Sequence, residues 1–122
     1  MSTPISIASA AHYTWGAVSD EVQGEVCDGW HLVRDANLSV IEERMPPGSH
    51  EQRHLHSRSR QFFYILAGEL TLELAGTHHQ LTAGQGLEIS PGQPHQAINN
   101  SGSDVRFLVI SQPPSHGDRQ PT

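Results

Sequence analysis

The stretch Gln61 to Leu74, QFFYILAGELTLEL, is two apolar, strand-favouring runs separated by Ala67-Gly68. In its second run Leu70, Leu72 and Leu74 alternate with Thr71 and Glu73, the two-residue period that sends successive side chains to opposite faces of a strand. A tight turn at Ala67-Gly68 predicts a hairpin here, with the leucine face buried and the other face wet.

The same grammar extends in both directions. Turns are signalled at Ala75-Gly76, at Ala83-Gly84 and from Asn99 to Ser103. From about Ala36 onward the period is two, and no segment sustains a 3.6 period, so the fold class is all-β, a sandwich or barrel of many short strands. The last strand is expected at Val105 to Ser111, VRFLVIS, which is apolar on both faces apart from Arg106 and therefore suited to lie between two layers. Three segments result: residues 1–35, an N-terminal arm in which Trp15 and Trp30 need an anchor, expected at a subunit interface; residues 36–111, the barrel; and residues 112–122, a Pro- and Ser-rich tail expected to be poorly ordered or docked on the surface.

Composition excludes several functions. The 122 residues carry a formal net charge of −6, which gathers neither phosphate backbones nor anionic lipid, so nucleic acid and membranes are not expected partners. All seven basic residues are Arg, so no amine is available for Schiff-base chemistry. Cys27 stands alone, which removes intrachain disulfides and cysteine-rich metal motifs and fits a reducing cytoplasm. No signal peptide and no run of about 18 apolar residues is evident.

Upstream of the opening stretch, GSHEQRHLHSRSRQ at residues 48–61 holds three of the nine histidines. On a strand His54 and His56 share a face, with Leu55 on the other, and two neighbouring imidazoles can present nitrogens to one divalent ion at about 2.0–2.1 Å. Taken alone, such a pair is more often a solvated surface pair. A third histidine, His95, follows the Pro91-Gly92 turn at the start of a further strand.

These residues carry a family resemblance. Gly48, five residues, His54-x-His56, four residues, Gln61, six residues and Gly68 resemble the first signature of the cupin superfamily, which has Glu where this chain has Gln61. Gly84, five residues, Ser90-Pro91-Gly92, two residues, His95, three residues and Asn99 resemble the second, with Ser90 where Pro is usual. The fifteen residues from Glu69 to Ala83 separate them, as in compact single-domain members, and the resemblance spans roughly Leu38 to Ser111. It implies a double-stranded β-helix, a jelly-roll barrel of two antiparallel sheets, with His54, His56 and His95 matching the three histidine ligands of a divalent transition metal and Gln61 matching the glutamate ligand. It also implies a homodimer and a small-molecule ligand or substrate.

A carboxamide is neutral and a weaker donor than a carboxylate. Three imidazoles with exchangeable water make an open site on which bound oxygens are strongly polarised, and both a ligating and a hydrogen-bonding role for Gln61 fit. Zn, Fe, Mn, Ni and Cu all accept such donors. If Gln61 points inward, so do Phe63 and Ile65, as a pocket wall or simply as core. Arg53, Arg58 and Arg60 are expected on a solvated loop face, with pairing to a substrate carboxylate as the sharper alternative. His12, His31, His50, His78, His79 and His116 fall outside the ligand register and are read as surface or turn residues, Cys27 as a small buried residue, and Glu42 and Glu43 as facing opposite ways. Two functions remain open: an oxygenase, isomerase or cyclase acting on a small organic molecule, and a non-catalytic sensor of a sugar or acid.

Overall fold

The computed structural model describes residues 9–16 and 26–122, so part of the expected N-terminal arm lies outside the described residues. The strands are β1 (Ala11–Trp15), β2 (Cys27–Arg34), β3 (Ser39–Met45), β4 (His54–His56), β5 (Arg60–Ala67), β6 (Glu69–Leu74), β7 (Thr77–Thr82), β8 (Gly86–Ile89), β9 (His95–Ile98), β10 (Val105–Gln112) and β11 (Arg119–Pro121). They form two antiparallel sheets, β1-β2-β3-β10-β5-β8 and β11-β4-β9-β6-β7, which face each other as a double-stranded β-helix. No helix among the described residues is long and apolar enough to cross a membrane.

Register places the inner residues of the larger sheet in rows. Ser39, Ser111 and Gln61 form one row, Ile41, Val109 and Phe63 the next, then Glu43, Phe107 and Ile65, and finally Met45 and Val105. Phe107, Met45, Ile65 and Val105 meet Leu70 and Leu72 of the smaller sheet in a fully buried cluster that closes one end of the barrel. The polar row lies at the other end, so the chain puts its apolar mass at the closed end and its chemistry at the mouth.

Three expectations change. The opening stretch is two strands but no hairpin: β5 pairs with β10 and β8, whereas β6 pairs with β7 and β9. Gly68, at φ 82°, turns the chain from one sheet to the other, and its α-carbon is packed so closely on the Asp104 carbonyl that a side chain has no room. The hairpin is the next one, β6–β7, whose turn residues Ala75 and Gly76 both have positive φ. Thr71 and Glu73 are buried along with Leu70 and Leu72, Glu73 because its carboxylate is held by Arg53 and by the Gly76 amide. The outer residues of β10, Arg106, Leu108 and Ile110, are only half-buried, because among the described residues no second layer covers them. Of the two states expected for the tail, the segment after β10 adopts the docked one, through β11, which pairs with β4, and through the buried carboxylate of Asp118, which accepts hydrogen bonds from the Ser57, Arg58 and Ser59 amides at 2.8–3.0 Å. Those three bonds hold the Asp118 pKa below its ordinary value.

Both tryptophans are anchored within the chain. Trp15 packs against the core cluster, and Trp30 lies on the outer face under the Arg106 guanidinium, 4.9 Å from the ring centre.

Candidate metal centre

His54 and His95 are direct cross-strand partners of β4 and β9, with ring centres 4.4 Å apart, and His56 lies one pleat further along β4. The Gly92 amide donates to the His56 carbonyl at 2.7 Å, so the turn that introduces His95 is fastened to the strand carrying the other two histidines. One ring nitrogen from each of His54, His56 and His95 lies within 4.8 Å of the others, and all three residues are buried.

The hydrogen bonds decide which nitrogens converge. Nδ1 of His54 faces the Gln52 carbonyl at 2.7 Å, Nδ1 of His56 the Asp118 carbonyl at 3.1 Å, and Nδ1 of His95 the Gln93 carbonyl at 3.0 Å. A carbonyl only accepts, so each Nδ1 carries the proton and each Nε2 presents a lone pair. Burial drives the His54 pKa down to about 3 and lowers those of His56 and His95, which keeps all three rings neutral. Two lone pairs then face each other at 3.1 Å, between His54 Nε2 and His56 Nε2, while His95 Nε2 has no partner. Buried acceptors without donors are costly, and a cation at their centre satisfies all three at once. The residues fit a divalent transition metal.

Gln61 approaches from the opposite sheet. Its amide nitrogen donates to Ser111 Oγ at 3.0 Å, which turns Oε1 away from that partner; Oε1 is buried and unpaired. Phe63 is inward beside it, its ring 6.2 Å from that of His95, and lines a cavity of about 870 Å³ together with Gln61, Ile41 and Val109. Ile65 is inward too but belongs to the closed core. Of the three arginines, only Arg58 borders the cavity; Arg53 binds Glu73, and Arg60 reaches Gln112 and Glu88.

Sequence reasoning missed several cavity residues. His31, read as surface, is half-buried against the Tyr13 ring and borders the cavity, as do Tyr13, Trp15, Glu43 and Glu51. His116 is exposed in a turn, as expected, but that turn is at the cavity mouth. The local signal for Tyr13 and Glu43 was Gly29, a glycine inside a strand. Asp118 gave no such signal, because its role depends on where a distant segment docks.

Two facing antiparallel sheets with a three-histidine cluster between them define the class, a β-helix barrel with a metal-competent mouth. The family described as "Cupin domain" matches residues 41–111, more than half of the chain, and the chain belongs to that family. Among curated proteins it is similar to the polyketide synthase CurC of Streptomyces cyaneus, 32% identical over 69 residues, which is 57% of this chain and 45% of that protein. The chain spans less than half the length of the curated relatives it matches. Its fold is similar to that of a predicted oxalate decarboxylase of Thermotoga maritima, with TM-score 0.74 and 20% identity over 90% of this chain and all of that one. It is also similar in fold to the polyketide cyclase RemF of Streptomyces resistomycificus, with TM-score 0.66 and 23% identity over 78% of this chain and 68% of that one.

Proposed function

We propose that this chain is a metal-dependent cupin enzyme acting on a small, oxygen-bearing organic molecule, with His54, His56 and His95 as ligands and Gln61 as a fourth donor or as a hydrogen-bond partner of bound water or substrate. The observation that carries this reading is the convergence of three protonless, buried Nε2 atoms, each fixed by a carbonyl on the other side of its ring. A divalent ion held there supplies a Lewis acid that polarises a carbonyl or hydroxyl oxygen. Zn, Fe, Mn, Ni and Cu all suit the donors. Ile41, Phe63 and Val109 exclude water from one wall, and Gln61 aims an unpaired acceptor at the same space. Cyclisation or isomerisation is the favoured chemistry, since CurC and RemF are named for polyketide synthesis and cyclisation; oxygenation is the next choice. A homodimer is proposed as the working form, supported by the exposed stripe of Phe62, Tyr64 and Leu66 on the outer face of β5.

The neutral donor set supports one alternative: an ion held too weakly to retain, in a barrel that captures a small molecule without turnover. Elemental analysis of the untagged protein beside a His56→Ala/His95→Ala variant separates the two. Near-stoichiometric metal that is lost in the variant is expected. No metal in the wild type, even after reconstitution, overturns the enzyme reading and leaves the sensor.

A further inference from the structure

The chain's seven arginines divide by what they face. Arg44 meets Asp28 and Asp104, Arg53 meets Glu73, Arg60 meets Glu88 and Arg106 meets Glu42. Arg34, Arg58 and Arg119 make no ion pair among the described residues, and these three border the cavity that His54, His56 and Gln61 line. A single unpaired arginine at a surface carries no meaning. Here the unpaired ones gather round one cavity and the paired ones lie outside it, which is what a site for an anion from outside the chain requires.

Arg119 is the best placed of the three. In β11 it is the cross-strand partner of His56, so the two side chains share the inner face of the smaller sheet. Its Nη2 donates to the Gln52 carbonyl at 3.2 Å, the same oxygen that accepts from His54 Nδ1 at 2.7 Å. One carbonyl thus fixes both a candidate ligand and the guanidinium beside it. Burial lowers the pKa values of His54, His56 and His95, and the Arg119 charge lowers each further, so its field reaches all three. Arg34 is opposite Ser39 in the polar mouth row, and Arg58 lies in the turn between β4 and β5 that Asp118 holds. Asp35, Glu43 and Glu51 share the lining without reaching these arginines. Asp35 Oδ1 accepts from the Asn37 and Leu38 amides, Glu51 Oε1 accepts from the Ala97 amide, and Glu43 belongs to the row of Phe107 and Ile65.

A guanidinium is charged at every working pH, and its planar fork of N–H groups matches the two oxygens of a carboxylate. Across the cavity, Ile41, Val109 and Phe63 form an apolar row. We propose that Arg119 anchors the carboxylate of a bound ligand, with Arg34 and Arg58 drawing the anion to the mouth, so that the cavity takes small organic acids with an apolar body. This names the substrate class of the proposed enzyme and rests on that reading for the presence of a ligand. A divalent ion on neutral side chains adds to the attraction for an anionic oxygen, but the guanidinium acts without it.

The test uses two probes of one shape, the carboxylate 2-naphthoate and the neutral 2-naphthamide, with binding measured by calorimetry on the protein as purified and again after chelator treatment. In the chelated protein 2-naphthoate binds about tenfold more tightly than 2-naphthamide, and salt at about 0.5 M reduces that advantage severalfold. Arg119→Gln abolishes the advantage and leaves 2-naphthamide binding unchanged, so the amide reports that the variant is folded. Arg34→Gln and Arg58→Gln weaken 2-naphthoate less than Arg119→Gln does, and Arg60→Gln, a paired arginine outside the cavity, changes neither probe. Several results overturn the proposal: no binding of 2-naphthoate, equal affinity for the two probes in the chelated protein, an advantage that salt does not reduce, or an Arg119→Gln variant that keeps the advantage or weakens both probes alike. A preference for 2-naphthoate that appears only with metal bound overturns it too, since the ion alone then holds the carboxylate. Absence of metal overturns only the enzyme reading, because the arginine site is read in the chelated protein.

Discussion

The two ends of the barrel bury side chains equally well and for opposite reasons. At the closed end Phe107, Met45, Ile65, Leu70, Leu72 and Val105 are at most 1% exposed, and every atom they bury is apolar or paired. At the mouth His54, His56, His95 and Gln61 are about as deeply buried, yet they leave acceptors without donors. Burial at the closed end stabilises by removing apolar surface from water; burial at the mouth costs stability unless something is bound. Along β10 the change takes four residues, from Phe107 through Val109 to Ser111. The closed end maintains the rigid walls that let the mouth hold unsatisfied groups in place.

The largest effect that separates the two ends is Phe107→Ala, which opens a cavity in the apolar cluster. It is expected to cost about 3–5 kcal/mol in urea denaturation, with metal per folded molecule unchanged. A fall in metal content of the folded fraction would show that the ends are not independent. Next is Asp118→Ala, which strips the acceptor from three amides and loosens the segment whose carbonyl holds His56 Nδ1. About 2 kcal/mol of stability is expected to go, and metal affinity to fall about tenfold, measured by competition with a chelator. Here one change at the mouth lowers stability and metal affinity together, because the support of the site is also part of the fold.

How much of this was legible in the sequence divides along the same line. Local alternation and turn residues placed the strands from β3 to β10 and set Gln61, Phe63 and Ile65 on one inner face, since these depend on near neighbours. The histidine cluster was legible only through the family resemblance: local spacing set His54 and His56 on one face and His95 at the start of a strand, but the pairing of His54 with His95 joins distant segments. Sheet membership was not: Ala67-Gly68 looks like a hairpin turn, and only contact with Asp104 shows that the chain changes sheet there. Glu43, Glu51, Tyr13 and Asp118 depend on pairings across 14 to 61 residues, such as Tyr13 across Gly29 to Glu43 and Asp118 to Ser57. No period reveals those.

A smaller effect sharpens the account of the mouth. The folded-state pKa of Glu43 is raised from 4.5 to about 8, so the folded protein holds a proton there that the unfolded chain has released. Its contribution is complete below about 4.5 and is lost as pH rises through about 8. Glu43→Gln is expected to melt a few degrees above the wild type at pH 9 and level with it or below at pH 5, by thermal denaturation. The same melting difference at both pH values would mean that Glu43 is ionised throughout.

The smallest effect belongs to neither end. Arg106, on the outer face of β10, lies over Trp30 and reaches Glu42 at 3.0 Å, and it is 43% exposed. Exposed ion pairs and cation–π contacts each contribute under about 1 kcal/mol, and salt screens the first. Arg106→Ala is therefore expected to cost about 0.5–1 kcal/mol, part of it disappearing in high salt, with metal content unchanged. The inner residues of β10 carry the core and the mouth, and Arg106 alternates with them along the same backbone, so a change in metal content here would mean that distortion of the strand passes from its outer face to the site. Stability lost with the site intact would show that the rows of the sheet act separately, and the charged outer face could then be redesigned without reference to the chemistry inside.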